Sequence, residues 1–252
     1  LPMRIKMINP NTPWSMTEKI GACARSVAHA RTEIVAVSPA MGPVSIESHY
    51  DEALAVPGVL QEVAAGERDG FDGYVIACFG DPGLLAAREL ARGPVVGIAE
   101  AAMHLASMVG RRFSVVTTLE RTVGQAWHLA ETYGMARFCA NVRACEMAVL
   151  ELEEPGSQAR ERIVEECRRA LAEDGSDAIV LGSAGIADLC AHIGQALGVP
   201  VVDGVAAGTQ LVQSLVALRL STSKRGELAH PLPKAVTGLL GGFTLPPADR
   251  LP

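Results

Sequence analysis

Short apolar runs alternate along this chain with longer segments in which apolar residues recur at helical spacing. The runs at positions 74–77 and 178–181 carry no charge, which is typical of strands buried on both faces of a parallel sheet. The segments between the runs are long enough for the crossover helices that parallel strands require. The pattern therefore predicts an α/β protein built from parallel sheets.

The chain repeats this plan once. Asp72 precedes Cys78 by six residues across one apolar run, and Asp177 precedes Ser183 by six residues across another, 105 positions later. Any two βαβ units share part of this order, but here the match covers most of both halves. We therefore expect two pseudo-symmetric α/β lobes, each with a parallel sheet, and an active site in the cleft between them.

The repeat also predicts where the lobes begin and end. We expect the first lobe to comprise residues 3–100 together with about 205–230, and the second lobe to comprise about 101–204. From Ser221 onward the alternating pattern stops, so residues 231–252 are expected to form a C-terminal extension with an extended end.

Several strand ends carry residues that favour the start of a helix. Thr12 before Pro13 and Asp81 before Pro82 resemble helix caps, and Thr117 with Glu120 has the spacing of a capping box. Helix N-termini favour anions, and ligands of parallel sheets bind beyond the carboxyl ends of the strands. The residues at these strand ends, which we call the strand tips, are therefore expected to line the cleft. They are Asn9, Asn11, Cys78, Phe79, Gly80, Thr117, Thr118, Gly182, Ser183, Ala184 and Gly185.

Cys78 is the strongest chemical candidate among these residues. A helix N-terminus close behind it would lower the thiol pKa below about 8.5 and supply a thiolate near neutrality. The alternative is a buried cysteine that acts as a small hydrophobe. Ser183 could serve only a tight turn, but the repeat pairs it with Cys78. Two such groups on opposite faces of one carbon could remove a proton on one side and return it on the other.

Composition and charge limit the classes of partner that this protein can bind. The formal net charge is −6, and no basic patch indicates a nucleic-acid or anionic-membrane footprint. No apolar run approaches the roughly 18 residues of a membrane span, so we expect a cytoplasmic protein. The six cysteines lack metal-ligand spacing. We therefore expect a small-molecule ligand, no nucleic acid and no membrane.

The chain contains Asn-Pro-Asn-Thr at 9–12 and Cys-Phe-Gly-Asp-Pro-Gly at 78–83. Together with several other segments, these motifs resemble one known family, the hydantoin and allantoin racemases of the aspartate/glutamate racemase superfamily. The likeness spans roughly residues 3–225, and it is most specific where Cys-Phe-Gly-Asp-Pro-Gly and Asn-Pro-Asn-Thr occur together. The matching segments are 8–12, 42–53, 75–84, 95–102, 113–119 and 179–185. The resemblance implies a two-lobed homo-oligomer that racemises a cyclic ureide at C5 with two cysteines and with no metal or cofactor.

The resemblance also implies roles for single residues. Cys78 matches the first catalytic cysteine, and Ser183 stands where the family has the second one. Three explanations are open: an engineered Cys-to-Ser change, a natural variant with altered function, or a wrong equivalence; the intact flanking pattern favours the first. The segment from Val44 to Glu47, with Val44 and Ser45 as its first residues, matches a loop expected to close over the C5 substituent. The other implied substrate-binding residues are Asn11, Phe79, Gly80, Thr117, Thr118, Gly182, Ala184 and Gly185.

Two further functions fit the same sequence. An amino-acid racemase or an arylmalonate decarboxylase-like enzyme of the superfamily would act beside a free carboxylate, which requires a cationic side chain that the strand tips lack. A non-catalytic ureide-binding protein would leave Cys78 structural, and Ser183 counts in its favour. A neutral ureide ring, as in allantoin, suits the amides, hydroxyls and backbone N–H groups of the tips better than a carboxylate does.

Overall fold

The structure is a computed structural model that describes residues 2–246, except for the side chains and the burial of residues 185, 187 and 188. The end of the expected extension, residues 247–252, lies outside this range. Among residues 2–246, no helix combines the length and the apolar character needed to cross a bilayer.

Two four-stranded parallel sheets form the centres of two lobes. The first sheet has the order β2-β1-β3-β4, and the second has the equivalent order β6-β5-β7-β8. The strands are β1 Met3–Ile8, β2 Thr32–Val37, β3 Gly73–Ile76, β4 Val95–Gly97, β5 Phe113–Thr117, β6 Cys139–Ala144, β7 Ala178–Leu181 and β8 Val201–Asp203. The identical order of strands confirms the predicted pseudo-symmetric lobes.

Within residues 2–246, eight α-helices cover these sheets. Two of them cross between the lobes: α4 follows the last strand of the first sheet but packs against β7 and β8, whereas α8 follows the second sheet but packs against β1, β3 and β4. These two helices also pack against each other. The helices are α1 Trp14–Val27, α2 His49–Arg68, α3 Leu84–Leu90, α4 Ile98–Val109, α5 Val123–Thr132, α6 Ala159–Glu173, α7 Cys190–Leu197 and α8 Gly204–Ala217.

The paired aspartates of the repeat have equivalent structural roles. Asp72 Oδ2 accepts a hydrogen bond from the backbone N–H of Arg4 at 2.7 Å, at the start of β1. Asp177 accepts hydrogen bonds from the backbone N–H groups of Arg111 and Arg112, both at 3.0 Å, just before β5. Each aspartate therefore aligns the central strand of its sheet with the strand that it precedes.

The expected helix caps are wrong in detail. Helix α1 begins at Trp14 after Pro13, without a side-chain cap from Thr12. Helix α3 begins only at Leu84, because Gly83 adopts a left-handed conformation and delays the helix. A short 3-10 helix, Glu120–Thr122, begins after Leu119, so Thr117 does not form the expected capping box. Tertiary contacts hold these polar side chains instead.

The chain after α8 runs along the first lobe. Thr222 donates its backbone N–H to Arg92 O and its hydroxyl to Gly93 O, at 2.9 and 2.6 Å. Lys224 Nζ donates to the carbonyl oxygens at the end of α3, and burial lowers the pKa of this amine. The segment is thereby attached to the first sheet. The lobe boundaries themselves stay a prediction.

We predict that Asp177→Ala lowers the free energy of unfolding at pH 7 by about 1 kcal/mol, because two hydrogen bonds to an exposed carboxylate are lost. Those hydrogen bonds lower the pKa of Asp177 in the folded chain. Its contribution is therefore present above its unfolded pKa of about 3.9 and disappears as the pH falls below that value.

Urea unfolding of the wild type and the variant at pH 7 and at about pH 3 measures this effect. Asp72→Ala, which removes the single backbone hydrogen bond at the equivalent position, is the matched comparison and should cost less. A loss at pH 3 as large as that at pH 7 would contradict the prediction.

Candidate functional site

The interlobe cleft lies at the carboxyl ends of β1, β3, β5 and β7. It encloses about 520 Å³, counting the space at its open mouth. Sixteen residues line it: Asn11, Met16, Ile46, Glu52, Ala77, Cys78, Phe79, Gly80, Thr117, Thr118, Thr122, Gln125, Val149, Gly182, Ser183 and Ala184. Both members of the repeated pair, Cys78 and Ser183, are therefore brought to one cavity.

Cys78 lies two residues beyond the end of β3, in a turn closed by a hydrogen bond from Asp81 N to its carbonyl oxygen at 3.0 Å. Burial raises the pKa of the Cys78 thiol well above its ordinary value, and the Glu52 and Asp81 carboxyls raise it further. A hydrogen bond from the Gly80 backbone N–H opposes this change. The expected lowering of the thiol pKa is thus wrong for the free protein, because the helix that follows starts too late to offset burial.

Ser183 lies two residues beyond the end of β7, which is the equivalent position in the second lobe. Its side chain is buried. The preceding Gly182 donates its N–H to the carbonyl oxygen of Val116 at 2.8 Å, which extends the β5–β7 pairing up to the cleft. Ser183 therefore occupies a strand end that is equivalent to that of Cys78.

Two asparagines after β1 form a buried polar chain. Asn9 Nδ2 donates to Thr17 Oγ1 at 3.0 Å, which leaves Asn9 Oδ1 to accept from both the backbone N–H and the Nδ2 of Asn11, at 3.0 and 2.9 Å. This chain fixes the orientation of the Asn11 amide. Asn11 Oδ1 is buried and has no hydrogen-bond partner. Asn9 itself supports Asn11 and does not line the cleft, contrary to the expectation.

The second lobe contributes hydroxyl groups. Thr117 and Thr118 are both buried at the end of β5. The hydroxyl of Thr117 lies 3.0 Å from that of Thr122, a lining residue that the sequence analysis missed. Gln125, also missed, bonds to Nδ1 of His49 at 3.2 Å near the cleft mouth. Hydroxyl and amide groups thus dominate this wall.

The loop between β2 and α2 contains the segment from Val44 to Glu47, which we expected to close over the C5 substituent. Ile46 lines the cleft, whereas Val44 is 60% exposed and Ser45 is not among the lining residues. Glu47 Oε1 accepts from the backbone N–H of Val149 at 3.0 Å and so attaches this loop to the other lobe. Gly185, another expected residue, lies in the 3-10 helix Ala184–Leu189, but its surroundings lie outside the described part.

Glu52 is the most important residue that the sequence reasoning missed. It lies in the first turn of α2, after Ser48, whose hydroxyl accepts from Asp51 N at 3.1 Å and caps the helix. Burial raises the pKa of Glu52 to about 6. The matching segment 42–53 contains Glu52, but nothing in its spacing from Cys78 indicates that the two residues share a cleft.

Asp81 connects the Cys78 turn to both lobes. Its carboxylate accepts from the backbone N–H groups of Ala99 and Glu100 at 3.0 and 2.9 Å, at the N-terminus of α4, and from the hydroxyl of Tyr133 at 2.5 Å. Asp81 has a positive φ of 48°, which aspartate tolerates better than most residues. Burial raises its pKa to about 7 despite these three donors.

The family model described as Asp/Glu/Hydantoin racemase matches residues 5–212. The chain belongs to the Asp/Glu/hydantoin racemase family. A hydantoin racemase from Pseudomonas sp. (strain NS671) is 48% identical over 241 residues, 96% of this chain and 97% of the relative.

Solved structures agree with this assignment. An allantoin racemase from Klebsiella pneumoniae superposes with a TM-score of 0.94 at 56% identity, covering 96% of this chain and 99% of that one. The allantoin racemase from Pseudomonas fluorescens gives 0.90 at 44% identity, with coverages of 94% and 100%. The chain is thus an isomerase of the racemase type with the two-lobed α/β fold of its relatives.

We predict that Asp81→Asn lowers the free energy of unfolding of this racemase by about 1–3 kcal/mol, because the amide NH₂ replaces an oxygen that accepts from a buried N–H. The folded pKa of Asp81, about 7, lies above the ordinary value of 3.8 for an aspartate. Its stabilising contribution is therefore full below about pH 4 and is lost as the pH rises through 7.

Urea unfolding at pH 5 and pH 8 tests this, and the variant should lose more stability at pH 5. Tyr133→Phe, which removes one donor without introducing a misplaced NH₂, serves as the milder control. An equal or larger loss at pH 8 would indicate that Asp81 is already ionised at pH 5.

We also predict that iodoacetamide modifies Cys78 of the racemase more slowly at pH 7 than it modifies a cysteine in an unstructured peptide. Because the thiol pKa is raised, the rate should climb steadily up to about pH 9.5. Glu52→Gln should increase the rate several-fold at pH 8, since it removes a neighbouring negative charge.

Peptide mass spectrometry assigns the modified residue, because Cys23 and Cys190 are also partly exposed. Glu18→Gln, which removes an exposed carboxylate that does not line the cleft, should leave the rate unchanged. A plateau in the rate below pH 8 would contradict the raised pKa.

Proposed function

We propose that the natural reaction of this site is the racemisation of a 5-substituted hydantoin such as allantoin, by proton transfer at C5 between two residues on opposite faces of the ring. The observation that carries the proposal is the convergence of two equivalent strand ends, at Cys78 and Ser183, on one cleft. The names of the hydantoin and allantoin racemases to which the chain is similar agree with this substrate class.

The reaction needs a base on one face and an acid on the other. Cys78 first gives its thiol proton to solvent, and the resulting thiolate takes the C5 proton, so that the C5–H bond breaks and an S–H bond forms. The electron pair is delocalised onto the neighbouring carbonyl, whose oxygen accepts hydrogen bonds from N–H groups at the strand ends. A thiol at position 183 then gives its proton to the opposite face of C5 and becomes the thiolate that starts the reverse direction.

The serine at position 183 interrupts this cycle. A hydroxyl is a far weaker acid than a thiol, and none of the sixteen lining residues in the described part of the chain is a histidine that could activate it. We therefore propose that Ser183 replaces a cysteine, and that the present chain binds its ureide but racemises it slowly. The intact flanking residues favour an engineered replacement.

The proposed substrate contacts follow the cleft. The buried Oδ1 of Asn11 accepts a ring N–H, while Thr117, Thr118 and the backbone at Phe79 and Gly80 hold the ring carbonyls and N–H groups. Gly182, Ala184 and Gly185 surround position 183, and the loop with Val44 and Ser45 closes over the substituent. We further propose a homo-oligomer.

The two alternative functions are distinguishable from this one. An amino-acid racemase or decarboxylase acts beside a carboxylate, yet no Lys or Arg is among the sixteen lining residues. This composition disfavours an anionic substrate. A non-catalytic ureide-binding protein would be consistent with Ser183. Racemisation by the Ser183→Cys protein would exclude that function.

We predict that Ser183→Cys speeds the loss of optical rotation of an enantiopure hydantoin by about 100-fold or more, which is the usual contribution of a positioned acid/base group. In D₂O, the unaltered chain should exchange the C5 hydrogen of one enantiomer faster than that of the other, because Cys78 reaches only one face.

A protein-free blank corrects for spontaneous racemisation, and Cys78→Ser in the Ser183 chain, which leaves no thiol on either face of C5, should abolish both signals. Equal and fast rates for the unaltered chain and for Ser183→Cys would show that Ser183 does not slow the racemisation. Stoichiometric binding without any exchange in either protein would instead favour the binding-protein function.

A further inference from the structure

The interlobe cleft contains one carboxylate and no fixed cation. Among its sixteen lining residues in the described part of the chain, Glu52 is the carboxyl-bearing one, and none is Lys, Arg or His. His49 bonds to Gln125 from outside this set. An anionic group entering the cleft therefore meets the charge of Glu52 with no lining cation to balance it.

The position of the Glu52 carboxyl is narrowly defined. The backbone N–H of Glu52 donates to Ser48 O at 3.0 Å within the capped first turn of α2, which holds the main chain. A Cβ atom added to Gly80 would lie only 2.0 Å from Glu52 Oε1. The carboxyl thus rests directly on the backbone of Gly80, next to Cys78, and occupies space that any other residue at position 80 would need.

The Glu52 carboxylate differs from the acidic groups around it in having no hydrogen-bond donor. Glu47 accepts from Val149 N, Asp51 accepts from Glu47 N, and Asp81 accepts from three donors. No hydrogen bond or ion pair of the Glu52 side chain occurs within residues 2–246. A partly buried carboxylate that lines a binding cleft without a protein donor is available to accept a hydrogen bond from a ligand.

Asn11, which also belongs to the first lobe, provides a second acceptor at the cleft. Asn11 is only 5% exposed, and its Oδ1 atom is buried without a partner. The hydrogen bonds through Asn9 prevent the Asn11 amide from turning its NH₂ group toward the cleft. The Glu52 carboxylate and Asn11 Oδ1 can therefore accept hydrogen bonds from a ligand that presents at least two N–H groups.

We propose, on the basis of the function proposed above, that Glu52 determines the substrate range. It accepts a hydrogen bond from an N–H group of the bound ureide, and it rejects hydantoins whose C5 substituent carries a carboxylate. The preferred substituents are neutral groups with N–H donors, such as a carbamoyl or ureido group. Asn11 provides the accompanying acceptor for a second N–H.

A matched pair of compounds isolates the effect of charge. 5-(2-Carbamoylethyl)hydantoin and 5-(2-carboxyethyl)hydantoin have nearly the same size and shape, but the second is anionic at pH 8. Racemisation of both by the Ser183→Cys protein gives the ratio of their kcat/KM values. We expect this ratio to favour the carbamoyl compound by at least about tenfold, a difference of about 1.4 kcal/mol.

Glu52→Gln keeps the size of the side chain but removes its charge. In the Ser183→Cys background it should bring the ratio close to one, mainly by raising kcat/KM for the carboxylate compound. Glu52→Asp should restore most of the discrimination. Glu18→Gln makes the same change in net charge on the exposed side of α1, and it should leave the ratio as it was.

Binding to the unaltered Ser183 chain provides a measurement that needs no turnover. In isothermal titration calorimetry at pH 8, the carbamoyl compound should bind more tightly than the carboxyl compound. Glu52→Gln should again reduce the difference, provided that its melting temperature shows an intact fold; if that fold is lost, Glu52→Asp with the Glu18→Gln control carries the comparison.

The outcomes separate this inference from the proposed function. Racemisation by Ser183→Cys with a ratio that Glu52→Gln does not change overturns the role of Glu52 and leaves the racemase function standing. Absence of racemisation by Ser183→Cys overturns the proposed reaction, and calorimetry then still decides on Glu52. Failure of both compounds to bind any variant overturns both proposals.

Discussion

The hydrogen bonds of Asp81 hold together the parts of this molecule on which its chemistry depends. Its backbone N–H closes the turn that presents Cys78, while its carboxylate caps α4 through Ala99 and Glu100. The hydroxyl of Tyr133, at the end of α5 in the second lobe, donates to the same carboxylate. Gly97 has to be glycine here, because a Cβ would lie 2.2 Å from Asp81 Cγ.

The exchange of two helices explains why the cleft is a stable feature. Each of α4 and α8 starts at the last strand of one sheet and packs against the other sheet, so neither lobe buries its full core alone. The apolar clusters accordingly contain residues of both halves, such as Val75 with Ala184 and Phe79 with Val115. Closing the two lobes against each other brings the carboxyl ends of both sheets to the same cavity.

The electrostatics of the cleft favour a neutral, hydrogen-bonding ligand. Burial keeps the Cys78 thiol protonated in the free protein, and two neighbouring carboxyls reinforce that state. In the proposed reaction, the same desolvation makes the Cys78 thiolate a strong base, and the Gly80 N–H opposes this effect. The second lobe supplies hydroxyl and amide groups that match a ureide ring rather than a carboxylate.

The sequence by itself determined the class of fold, the two-lobed plan and the equivalence of Cys78 with Ser183. These follow from local patterns, because buried strands need continuous apolar runs and a duplicated unit repeats its polar tips at a constant offset. It also predicted most of the lining residues, since parallel strands place their carboxyl ends at one edge of the sheet.

Only the tertiary structure decided what depends on distant segments. Glu52 enters the cleft because α2 folds over the first sheet, a contact that has no periodic signature in the chain. The state of the Cys78 thiol was mispredicted for the same reason: a pKa depends on burial and on charges from other elements, and the sequence shows neither. Asp81 likewise caps α4 rather than the helix next to it, because close packing and not sequence proximity selects its donors.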